Sequence, residues 1–128
     1  MSRVEHIMSA EAEIMKFLWA QDGKPATSKE IRTALEAAQG WSKSTVLTLI
    51  RRLVDKKIIA CKKQDVYYYT PLVSEEEYQK FKTRNFLDRI YDGSVRNLLS
   101  ALCKADSLSR SDIEELRRYL DRKEDGDD

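Results

Sequence analysis

Apolar residues along this chain recur at helical spacing in six segments, and between the third and the fourth they crowd as they do in strands. Ile14, Phe17 and Leu18 share one face of a first helix. Ser9 can cap it, and Glu11 and Glu13 stand in its first turn, where the helix dipole favours carboxylates. Gly23-Lys24-Pro25 stops that helix. Thr27-Ser28-Lys29-Glu30 then reads as a capping box, and Ile31, Ala34, Leu35 and Ala38 give a second helix a narrow stripe. Gly40 turns the chain into a third, capped by Ser42 and stapled by Trp41 and Val46. Its buried stripe is Val46, Leu49, Ile50 and Leu53. Ile58-Ile59-Ala60-Cys61 and Val66-Tyr67-Tyr68-Tyr69-Thr70 follow, two strands joined by the polar tip Lys62-Lys63-Gln64-Asp65.

Past Pro71 the period is helical only. Ser74-Glu75-Glu76-Glu77 opens a fourth helix with Tyr78, Phe81, Phe86 and Ile90 facing inward, and Gly93 breaks it. Val95, Leu98, Leu99 and Leu102 form a fifth stripe. Ile113, Leu116 and Leu120 form a sixth, capped by Ser109 and stapled by Leu108 and Ile113. The expected fold is mainly α with a small β-hairpin wing. A winged helix-turn-helix spans residues 1–73, a three-helix dimerisation domain 74–123 and a disordered acidic tail 124–128. Three short helices have too little interior to bury that many leucines, so both stripes are expected to meet a second copy.

Charge sharpens the picture. The net charge is only +1, but residues 42–63 hold seven lysines and arginines against the single carboxylate of Asp55. On the third helix Lys43, Ser44, Leu47, Thr48 and Arg51 fall opposite the apolar stripe. A small, polar and cationic face of this kind suits the DNA major groove, where short side chains permit close approach and Arg meets guanine. Thr45 and Arg52 belong to the same interface, Thr45 in a partly buried packing position and Arg52 either on a phosphate or braced by an acidic neighbour. Lys62 and Lys63 are expected to touch the DNA backbone from the wing. Tyr67, Tyr68 and Tyr69 read first as strand packing, with one exposed hydroxyl available to a phosphate.

Other classes are disfavoured. No apolar run is long enough to span a bilayer, and the N-terminus lacks a signal-peptide pattern, so a cytoplasmic location is expected. Cys61 and Cys103 lack metal-ligand spacing and read as small, reduced hydrophobes. His6 falls in a segment expected to fray. No metal, cofactor or nucleophilic constellation is expected, hence no enzyme. Two readings remain: a dimeric sequence-specific repressor on operator DNA, or a winged-helix module that binds protein and not DNA. The basic face of the third helix favours the repressor.

Trp41-Ser42-x-x-Thr45-Val46-x-Thr48-Leu49-Ile50-x-Arg52-Leu53 resembles the recognition-helix signature of the penicillinase-repressor family (the BlaI, MecI and CopY type). Glu11-Ala12-Glu13-Ile14-Met15 with Trp19 is similar to the family's first helix, and Ile58-Ile59 through Tyr69 to its wing. Thr83-x-x-Phe86-Leu87 with Tyr91-x-Gly93 resembles its dimerisation hinge, and Ile113-Glu114-Glu115-Leu116-Arg117 its last helix. The resemblance implies a homodimeric repressor on palindromic operators. It also implies release by a membrane sensor that triggers proteolysis, or by metal in the copper branch. The staphylococcal members are cut at an Asn-Phe bond in the fifth helix, where this chain has Ala101-Leu102. The copper branch has a C-terminal cysteine cluster, and here none follows Leu120. Where the staphylococcal recognition helix has Arg, this chain has Leu47.

Overall fold

The computed structural model describes residues 3–126. A 3-10 turn, Arg3–His6, leads into α1 (Ser9–Trp19), β1 (Ala26–Thr27), α2 (Ser28–Gln39) and α3 (Lys43–Asp55). Strands β2 (Ile59–Lys63) and β3 (Tyr67–Pro71) follow, then α4 (Glu75–Tyr91), α5 (Val95–Lys104) and α6 (Arg110–Glu124). The chain forms two compact units, one up to Lys82 and one from Thr83, with α4 running through both. No helix among the described residues is long and apolar enough to cross a membrane.

In the first unit Ile14, Met15 and Leu18 of α1, Ile31 and Leu35 of α2, and Val46, Leu49, Ile50 and Leu53 of α3 close on one core. The stripe of α2 ends at Leu35, since Ala38 is exposed. Thr27 caps α2 as its sequence dictates: its Oγ1 accepts the Glu30 amide at 3.1 Å, while Glu30 accepts the Thr27 amide at 2.9 Å. Gly40 supplies the left-handed residue that ends α2, at φ +70. The start of α1 differs from expectation. Met8, not Ser9, is the cap, because the carboxylate of Glu11 accepts the Met8 amide at 2.8 Å and serves the turn from inside. The segment around His6 is also ordered: it forms the 3-10 turn, with Val4 and Ile7 buried.

The sheet has the order β1-β3-β2, antiparallel throughout. Cys61 pairs with Tyr69 and Lys63 with Tyr67, so the wing tip is Gln64-Asp65-Val66 and both lysines lie inside β2 rather than at the tip. β1 is unanticipated. Ala26 is buried and pairs with Tyr69, using the outer edge of β3. The first turns of α4 belong to this unit as well. Tyr78 and Phe81 pack on its core, the Tyr78 ring 5.4 Å from that of Trp19, and the Trp19 indole donates to the Val73 carbonyl at 2.9 Å.

The second unit is built differently. Ser109 caps α6 as predicted and Ser94, not anticipated, caps α5, yet neither helix contains a fully buried residue. Leu87 is the one buried side chain among the described residues of this unit. Phe86 and Ile90, expected inside, are 50% and 60% exposed, and Val95 and Leu120 are 57% and 52% exposed. Leu99, Leu102, Leu108 and Leu116 line a shallow cleft of about 450 Å³ together with Tyr119. The start of the expected tail is ordered instead: Glu124 still belongs to α6 and Asp125 is its C-cap. Asp127 and Asp128, the remainder of that tail, lie outside the described residues.

Candidate nucleic-acid interface

The third helix is set by its first turn. Ser42 Oγ accepts the Thr45 amide at 3.2 Å and donates to Thr45 Oγ1 at 3.0 Å. Thr45 is therefore exposed and tied to the cap, not packed as its place in the motif suggested. With the stripe Val46, Leu49, Ile50 and Leu53 buried, Lys43, Ser44, Thr48, Arg51 and Arg52 all stand exposed. Arg52 forms no ion pair among the described residues, which removes the acidic brace considered for it. Leu47 departs from its expected place. It is half-buried on the flank of α3 and packs against the core.

That flank faces the wing. Leu47, Ile50, Arg51 and Val54 of α3, with Cys61, Tyr67 and Tyr69 of the sheet, line a cleft of about 400 Å³. Strand alternation puts Cys61, Lys63, Tyr67 and Tyr69 on this side, and the Lys63 ammonium sits 5.7 Å from the centre of the Tyr67 ring. Lys62 points the other way, into a second cleft with Pro25, Gln64, Tyr68 and Thr70. The two wing lysines thus lie on opposite faces of the sheet. Burial, and then the Cys61 thiol, push the Tyr69 phenol above its ordinary pKa, while Asp65 does most to raise that of Tyr68. Tyr67 is the side chain that sequence reasoning undervalued: it is half exposed beside Arg51. Both cysteines are exposed rather than packed as small hydrophobes.

The family model for the penicillinase repressor matches residues 7–122. This chain belongs to the penicillinase-repressor family. It is 32% identical to the methicillin resistance regulatory protein MecI of Staphylococcus aureus (strain N315), over 95% of this chain and 98% of that one. It is 30% identical to the penicillinase repressor of Bacillus licheniformis, over 94% of each. Among solved structures, that of the DNA-binding domain of the repressor BlaI aligns with TM-score 0.53 and 30% identity, covering 61% of this chain and 94% of that one. The monomeric Bacillus licheniformis BlaI in complex with the blaP half-operator aligns with TM-score 0.50 and 32% identity, covering 56% and 87%. The penicillinase-repressor family consists of transcriptional repressors, not enzymes.

In this penicillinase-repressor chain the stripes of the second unit are divided. Leu98, Leu99, Leu102, Ile113 and Leu116 are half-buried within the chain, whereas Val95 and Leu120 are exposed. Ala101-Leu102 is half-buried in α5, and both its carbonyls accept, from Ala105 at 3.0 Å and Ser107 at 3.0 Å. The chain's one Asn-Phe pair, Asn85-Phe86, lies in α4, one helix earlier than the position matched to the staphylococcal cut.

Proposed function

We propose that this chain is a homodimeric, sequence-specific DNA-binding repressor whose α3 reads each half of a palindromic operator. The observation that carries the reading is the outer face of α3. Five polar or cationic side chains, Lys43, Ser44, Thr48, Arg51 and Arg52, stand exposed on a helix whose other face is locked in the core. Ser44 and Thr48 suit base edges or phosphates, Arg51 forks onto guanine, and Lys63 and Tyr67 offer a cation and a phenol to the flanking backbone. The half-operator complex of the Bacillus licheniformis relative supports operator DNA as the partner of this fold. Homodimerisation is supported by α5 and α6, which leave Val95 and Leu120 to solvent in a single subunit. One subunit then supplies one winged helix per half-site.

Release by a sensor-triggered protease fits this chain only if a helix opens first. Ala101-Leu102 and Asn85-Phe86 are both held in helical backbone, and a protease cleaves extended chain after local unfolding. A gel-shift assay on the DNA upstream of the coding sequence, titrated with salt, tests the main reading. The expected result is a complex on that DNA that outlasts the complex on random duplex as salt rises. Equal salt sensitivity on both, or no complex, contradicts it and favours a protein-binding module.

A further inference from the structure

Glu11 is the one fully buried charged side chain among the described residues, at 0% exposure. Its Oε1 accepts the Met8 amide at 2.8 Å and the Lys56 ammonium at 2.7 Å, and its Oε2 accepts Lys56 at 2.9 Å. Lys56 also donates to the His6 carbonyl at 2.8 Å. Lys56 is the C-cap of α3, so these bonds tie the end of that helix to the chain that precedes α1. Arg3 extends the grip: it donates to the Lys57 carbonyl at 2.6 Å and to the Leu72 carbonyl at 3.4 Å, just past the end of β3.

We propose that residues 3–11 act as a positioning strap, in which Arg3 and Glu11, gripping Lys56 and Lys57 at the end of α3, fix the angle between α3 and the wing without touching DNA. The inference rests on α3 being the DNA-reading helix. A buried ion pair is a poor source of stability, because apolar residues of similar volume usually replace it at no loss. What it supplies is direction. An ammonium bonded to two carboxylate oxygens and one carbonyl has a single satisfied position, whereas methylene packing tolerates a small rotation of the helix. Base-edge contacts are the interactions most sensitive to such a rotation, and phosphate contacts the least.

The test pairs stability with discrimination. The wild-type full-length chain first selects a duplex from a random pool, and the selected duplex and the unselected pool then serve as probes. Glu11→Gln combined with Lys56→Met, which keeps an acceptor for the Met8 amide, is expected to stay folded and to melt near the wild-type temperature. It should hold the pool within about twofold and lose about tenfold on the selected duplex, the scale of one spoiled base contact. Arg3→Met, on an exposed side chain outside the core, provides the same test should the double variant fail to fold. Folded variants that bind the selected duplex like the wild type overturn the strap. So does an equal loss on both probes, which marks a lost charge contact instead. A wild type that selects no sequence overturns the DNA reading itself, and the strap with it.

Discussion

Lys57 holds a backbone conformation that L side chains resist. It sits at φ +61 just past the end of α3, where the Ile58 amide reaches back to Leu53 at 3.0 Å to close the helix. Such a residue costs about 1 kcal/mol relative to glycine. Lys57→Gly should therefore raise the denaturant-unfolding free energy of the DNA-free protein by about 1 kcal/mol. Thr27 and Ser109 each cap a helix against a carboxylate three residues on. The backbone amide, and then the hydroxyl, hold Glu30 below its ordinary pKa, and Asp112 is lowered in the same way by Ser109. Both groups are lowered in the folded state, so their contribution is complete above the unfolded values of about 4.3 and 3.9 and is lost as pH falls through the folded ones. Thr27→Ala should move the Glu30 titration part of the way back up, as followed by its side-chain NMR shift, because the backbone amide remains. Leu47 shows where reading residues from spacing stops. A position near 100° from the stripe is outer or flanking depending on what the wing covers, and only the folded wing decides it.

At the scale of elements, the three helices of the first unit and the hairpin were legible because their periods were plain and, for α2 and α3, the caps agreed with them. Trp41-Ser42 and Thr27-x-x-Glu30 announce their helix starts unaided. β1 was not legible, since two residues carry no alternation, and it exists only because β3 offers an edge. The strand ends shifted for a related reason: Lys62 and Lys63 look like turn residues in isolation, yet cross-strand pairing with Tyr68 and Tyr67 keeps them in β2. Their opposite orientation makes a specific prediction. Lys63→Ala should flatten the salt dependence of DNA binding by about 1 per subunit, whereas Lys62→Ala should change it less. Equal effects would mean that the wing does not approach DNA from the α3 side.

For the whole molecule, the second unit is where a single chain explains least. The spacing of Phe86, Ile90, Val95 and Leu120 predicts burial, but that burial is not found within the single chain. Periodicity reports that a face is covered and cannot say by what. Val95 is exposed in one chain, so Val95→Asp should leave the fold intact and convert the protein to a monomer on sedimentation, since a carboxylate in an apolar interface costs several kcal/mol, of order 3. Operator affinity should fall with it, because one winged helix engages only a half-site. A dimer that survives Val95→Asp would move the interface elsewhere. The central claim is that two copies of α3 read dyad-related half-sites, and hydroxyl-radical footprinting of the wild-type chain on its upstream DNA tests it most directly. The prediction is two protected tracts on one face of the duplex, related by a dyad and spaced by whole helical turns, both lost with Arg51→Ala. A single unpaired tract, or uniform protection indifferent to sequence, would contradict it.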